Sequence, residues 1–211
     1  MTSLSPHALI DDNDRARLVQ RRHHAPHDVL GVHRLDDGHG VLRTVQCGAR
    51  AVQAQLLPSE ETITLESLGD DIYAAALPIP AEAVETYELR VQWADGSETT
   101  ISRDPYRQPP TVGEVDRHLI GEGRHERLWE VLGSHVYEDD LCSFAVWAPH
   151  AAGVAVIGDF NGWNPRQHPM RALGSSGIWE LSIPNVPEGA VYKFQITTGD
   201  GVHLDKADPM A

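Results

Sequence analysis

Four stretches in the second half of the chain cluster or alternate apolar residues as β-strands do. "CSFAVWAP" (142–149), "GVAVIGDF" (153–160), "GIWELSIP" (177–184) and "VYKFQITT" (191–198) are rich in β-branched and aromatic residues, and Gly, Pro, Asn and Asp clusters separate them. Within the third, Trp179, Leu181 and Ile183 alternate with Glu180 and Ser182. Within the fourth, Tyr192, Phe194 and Ile196 alternate with Lys193, Gln195 and Thr197. A period of two predicts one buried and one wet face. Glu180 with Ser182, and Lys193 with Gln195, are therefore expected to point outward.

The first half shows the same pattern more faintly, in "GVLRTVQ", "AVQAQLL", "DIYAAALPI" and "TYELRVQW". It is also echoed by the second half. "DVLGVH" at 28–33 returns as "EVLGSH" at 130–135, "YELRVQWADGS" from Tyr87 resembles "YKFQITTGDGV" from Tyr192, and Asp104-Pro105 is matched by Asp208-Pro209. Ordered markers at a nearly constant separation of about 100 residues point to two copies of one domain. The expected architecture is all-β: two immunoglobulin-like β-sandwich domains in tandem, joined by a linker with a short helix. The boundaries read as a polar N-terminal arm at 1–27, a first sandwich at 28–108, a linker at 109–137 and a second sandwich at 138–211. The helix is expected at about 122–132, where Leu128, Val131 and Leu132 have helical spacing. The arm holds a possible helix after Asp12, and its polarity does not require order.

Composition narrows the function. With 41% hydrophobic and 23% charged residues, 211 residues suffice for buried cores. No apolar run approaches the ~20 residues of a membrane-spanning helix, and the N-terminus lacks the apolar stretch of a secretory signal. A cytoplasmic protein with no membrane partner is expected. A net charge of −14 opposes nucleic acid, whose phosphates call for clustered cations. Two cysteines, Cys47 and Cys142, support neither a disulfide framework nor a thiolate metal site.

Candidate chemistry is sparse. His23, His24, His27, His33 and His39 lack metal-binding spacing and read as solvated surface, so no metal or cofactor is expected. "GEGRH" at 121–125 lacks the lysine and the preceding strand of a phosphate loop. Acidic pairs such as Asp70-Asp71 and Asp139-Asp140 are adjacent in turns rather than opposed across a cleft, so no catalytic residue is assigned. Of the five tryptophans, Trp147 and Trp179 read as core, while Trp93 and Trp129 read as packing residues. Trp163 differs, because "GDFNGWNP" surrounds it with turn residues. An open indole there offers a flat face to the C–H groups of a pyranose, and Asn161, Asn164 and Lys193 offer amides and an ammonium to its hydroxyls. The same ring could instead anchor its own loop.

"FAVWAPHAAGVAVIGDFNGWNPRQHPM", followed by "GIWELSIPNVPEGAVYKFQI" and "KADP", resembles the glycogen-binding sandwich module that precedes the catalytic barrel in the α-amylase superfamily. "HHAPHDVLGVH" through "RLWEVLGSH" looks like the extra N-terminal domain of bacterial glycogen branching enzymes. The resemblance implies that Trp163 and Lys193 contact α-glucan, with Asn161 and Asn164 as lesser contributors. The same module in the β subunit of AMP-activated protein kinase carries a second tryptophan after the D-G turn. Here Val202 and His203 stand there, which favours the branching-enzyme type. Branching enzymes move α-1,4 glucan segments to α-1,6 branch points on a (β/α)₈ barrel of about 250 residues. No such barrel fits into this chain, which is expected to bind and position glycogen without catalysing. The alternatives are a structural role docked on the barrel and a free-standing regulatory glycogen-binding subunit.

Overall fold

A computed structural model describes residues 9–35, 38–137 and 140–211. Asp139, and with it the start of the second sandwich at 138, lies outside the described residues. Two compact units emerge. One combines the described residues up to Ala16 with His27–Arg107, and the other combines Arg17–Pro26 with Gln108–Ala211.

In the first unit β1 (Gly31–Arg34), β2 (Gly40–Val45), β3 (Ala49–Leu57), β4 (Thr62–Gly69), β5 (Ile72–Ala76), β6 (Thr86–Trp93) and β7 (Glu98–Ile101) pair in the order β1-β2-β5-β4-β3-β6-β7. The sheet folds over at β4, whose residues 62–65 pair with β3 and whose residues 66–69 pair with β5. Leu42, Tyr73 and Ala75 from one half and Val52, Ala54, Leu89 and Val91 from the other close on one core. The strand β4 carries mostly polar residues and was not apparent from hydrophobic pattern.

The second unit contains β8 (Gly133–Val136), β9 (Leu141–Trp147), β10 (Gly153–Gly158), β11 (Arg171–Ala172), β12 (Ile178–Pro184), β13 (Tyr192–Thr197) and β14 (His203–Lys206). They form sheets β8-β9-β12-β11 and β10-β13-β14. Replacing each strand by its counterpart seven places earlier reproduces the first unit's order, with the fold-over now reduced to a bridge between Ala155 and Pro169. The repeated motifs take the same shape twice. Gly31 and Gly133 both have positive φ, and His33 and His135 each bond through Nε2 to the carbonyl three residues back, at 2.8 and 3.1 Å. The hydroxyls of Tyr87 and Tyr192 donate to Asp104 and Asp208, and those carboxylates accept the amides of Tyr106 and Met210, each at 2.8 Å.

Three expectations are corrected. First, the helix of the 109–137 stretch is α2 (Glu114–Gly121), while 128–130 forms only a 3₁₀ turn. Gly123, at φ +66°, stops the helix: its amide bonds Ile120 O at 3.0 Å and the Arg124 amide bonds Leu119 O at 2.9 Å. This paired closure is a Schellman cap. Second, β12 has no wet face. Glu180 and Ser182 are buried because Val112, Ile120 and Leu132 form a further small core with Ala145 and Ile178 on that side. Third, the described part of the N-terminal arm, residues 9–27, is packed. It carries α1 (Asp12–Val19) and buries Leu9, Ile10, Leu18 and His23, so the early histidines are not simply solvated surface. Trp179 is buried as expected, whereas Trp147 is 54% exposed and Trp129 is exposed.

Candidate functional site: the Trp163 loop

Where the first unit joins β3 to β4 through residues 58–61, the second joins β10 to β11 through residues 159–170. This enlarged connection carries Trp163. A 3₁₀ turn (Asp159–Asn161) leads into Gly162 and Trp163, at φ +61° and +60°, and the Asn164 amide closes on Asn161 O at 3.2 Å. Two successive left-handed residues with an i→i+3 bond are the pattern of a type I′ turn. Glycine takes that conformation freely, whereas a bulky aromatic takes it at a cost.

Asp159 fixes the indole. One carboxylate oxygen accepts Trp163 Nε1–H at 3.0 Å and the other accepts the Val191 amide at 3.0 Å. The ring's only donor is thus committed, and 38% of the residue stays open to solvent. Its faces, not its N–H, are what it can offer a partner.

Asn161 is bound up in the loop itself. Its Oδ1 accepts the Gly158 amide at 2.9 Å, and its Nδ2 donates to Val156 O at 2.9 Å and His168 Nδ1 at 2.8 Å. Loss of hydration pushes His168 down to about 3, so at neutral pH the ring is uncharged and can accept that bond. Phe160 stacks on Phe144, with centroids 5.5 Å apart, and pins the turn to the sandwich core. Asn164 turns its Oδ1 to the Arg166 amide at 3.0 Å, which leaves its amide nitrogen as the group a ligand could use. Lys193 pairs with Ile157, one step before the loop, and is exposed on the outward face, where Gln195 is half-buried. Asp159 and His168 were not singled out by sequence reasoning. Asp159, four residues before the tryptophan in "GDFNGW", was the legible signal; His168 had none. Among the described residues no group of His, Cys, Asp and Glu side chains is arranged to hold a metal ion, and no helix is long and apolar enough to cross a membrane.

A family model for carbohydrate-binding module 48 (isoamylase N-terminal domain) matches residues 131–211, and one for the N-terminal domain of the alpha-1,4-glucan branching enzyme GlgB matches residues 11–106. The chain is an N-terminal region of the GlgB family. The 1,4-alpha-glucan branching enzyme GlgB of Corynebacterium jeikeium is 58% identical over 95% of this chain and 28% of that protein. Its Mycobacterium tuberculosis counterpart is 45% identical over 97% of this chain and 28% of that protein. A solved pullulanase from Anoxybacillus sp. LM18-11 is 16% identical, covers 85% of this chain and 25% of that one, and has a TM-score of 0.33. The chain thus spans about 28% of the length of the curated GlgB relatives it matches. Within this GlgB region the module-48 match takes in the whole Trp163 loop and Lys193, while the N-terminal match ends at Tyr106.

Proposed function

We propose that this chain binds α-glucan through the Trp163 loop and positions glycogen chains for a branching enzyme that moves α-1,4 segments to α-1,6 branch points. The observation that carries the reading is the indole held open in a left-handed backbone conformation, with its N–H tied to Asp159. Such conformations cost about 1–3 kcal/mol and persist where function requires them. A glucosyl ring stacks on the indole, and Lys193 and the Asn164 amide meet its hydroxyls. One ring and a few hydrogen bonds leave a net ~4–5 kcal/mol, which corresponds to a Kd on the order of 0.1–1 mM. Asn161 acts as a brace, not a contact.

Affinity electrophoresis in glycogen gels, paired with urea unfolding, tests this with Trp163→Asn, because asparagine tolerates the left-handed conformation. Retention by glycogen should disappear while stability is unchanged or rises by up to about 1 kcal/mol. Unchanged retention sinks the reading. A stability loss above about 2 kcal/mol makes the ring a loop anchor.

A second reading, docking on the catalytic part of the relatives, is favoured by Trp147. Its half-exposed ring borders a cavity of about 290 Å³ lined by Ile120, Leu128, Leu132 and Met210. That surface does not include Trp163, so both roles fit on one unit.

A further inference from the structure

The two sandwiches differ at one end. In the first, Arg34 pairs with Gly40, and in the second Val136 pairs with Cys142, so Cys142 stands where its twin has glycine. A Cβ at Gly40 would lie 2.9 Å from Ile79 O and 3.0 Å from Leu77 Cδ1. The bare glycine lets the chain after β5 fold inward. There the Leu77 amide bonds Gly40 O at 2.8 Å, the Gly40 amide bonds Ile79 O at 3.2 Å, and Leu77 and Val84 close that end of the core. The Cys142 side chain excludes the same course. Instead β12 runs straight on, pairing Ile183 with Cys142 and Pro184 with Leu141, and the Asn185 amide bonds Asp140 O at 2.8 Å. A cavity of about 630 Å³ is left between β9 and β13, with Cys142, Phe144, Phe160 and Tyr192 among its walls.

The cavity opens beside the Trp163 loop. Tyr192 pairs with Gly158, where that loop departs, and Val191, between the lining residues Ala190 and Tyr192, gives its amide to the carboxylate that holds the indole. We propose that the cavity takes the terminal glucosyl unit of a glucan while a nearby unit stacks on Trp163, so that this end of the sandwich grips chain ends in preference to mid-chain segments. This rests on the glucan reading of Trp163. The volume falls within the roughly 300–1,000 Å³ usual for small-ligand sites. Aromatic rings line the inside and suit the C–H face of a pyranose, while the exposed Ser134, Asp140 and Glu188 at the mouth can accept from its hydroxyls. Among the described lining residues there is no lysine or arginine, so a phosphate would meet only like charge. The buried Phe144 closes the inner side. An end unit can enter such a cavity, whereas an internal unit has chain leaving on both sides.

NMR titration of the full chain tests this with maltoheptaose, which has ends, and β-cyclodextrin, the closed ring of the same length. The linear sugar should bind about 5–10-fold more tightly, the effect of one or two net hydrogen bonds at the end unit. Cys142→Met, which fills the cavity from β9, should bring the two sugars within about twofold and leave the affinity for β-cyclodextrin as it was. Ala190→Leu fills the cavity from the opposite wall and takes its place if melting shows that the methionine variant is poorly folded. Trp163→Asn should abolish binding of both sugars. If the linear preference is absent, or survives in a folded cavity variant, the cavity proposal falls and the glucan reading stands. Equal weakening of both sugars by the cavity variants also overturns it, because the cavity then acts only through the fold. If Trp163→Asn leaves both sugars bound as before, the glucan reading itself fails.

Discussion

Asn161 and Trp163 are two residues apart, yet they do opposite jobs. The amide of Asn161 is used in three directions to build the loop, and the indole of Trp163 is what the loop presents. The brace depends on an uncharged His168, because a protonated Nδ1 would face the Asn161 donor. The folded state keeps that ring neutral down to about 3, while the unfolded chain protonates it near 6.5. Protons therefore favour the unfolded state: the stability His168 contributes is complete above about pH 6.5 and is lost as pH falls toward 3. His168→Gln, which keeps an acceptor and cannot titrate, should flatten the decline in urea stability between pH 6.5 and 5. An unchanged slope would show that His168 does not govern it.

Among the elements, β12 departs most from its own pattern. Its alternation promises a solvent face, but Glu180 is 2% exposed and saturated with partners. Oε1 accepts Arg171 Nε at 2.9 Å and Nη2 at 2.5 Å, and Oε2 accepts the Thr111 amide, the Thr111 hydroxyl and the Val112 amide, each at 3.1 Å. This carboxylate seats residues 111–112 against the sheet and lets α2 bring Ile120 to the small core. Removing one partner of a buried ion pair strands the other, so Glu180→Ala should cost about 3–5 kcal/mol. Calorimetry of the full chain measures it, and a loss under about 1 kcal/mol would mean that the stretch is seated by its apolar contacts alone.

At the scale of the molecule, one sandwich was used twice and modified once. Both copies keep the glycine entry to the first strand and the tyrosine–aspartate pair, but only the second enlarges the fold-over connection, here residues 159–170. The paired contacts are not equal in burial. Asp104 is buried and its carboxyl is raised chiefly by lost hydration, while Asp208 is half-buried. A hydrogen bond to a charged group contributes about 1.5–3 kcal/mol, and more where the group is shielded from water. Tyr87→Phe should therefore destabilise the first unit by the upper part of that range and Tyr192→Phe the second by the lower part. Hydrogen exchange resolved by unit reads each separately, and the reverse ranking would contradict the burial argument.

Strand content, the duplication and the turn around Trp163 were legible because periodicity, repeated motifs and Gly-Asn-Pro chemistry act between near neighbours in the chain. Even the end of α2 at Gly123 is a local signal. The rest was decided by segments far apart in sequence. Residues 108–132 cover β12, the arm lies on Gly153, and Val191 shares Asp159 with the indole. A side chain is wet or dry according to what folds over it, and alternation along one strand holds no record of that cover. Hence composition and spacing could nominate Trp163 as exposed, but only the assembled fold decided that Asn161 would brace it and that Glu180 would be sealed from water.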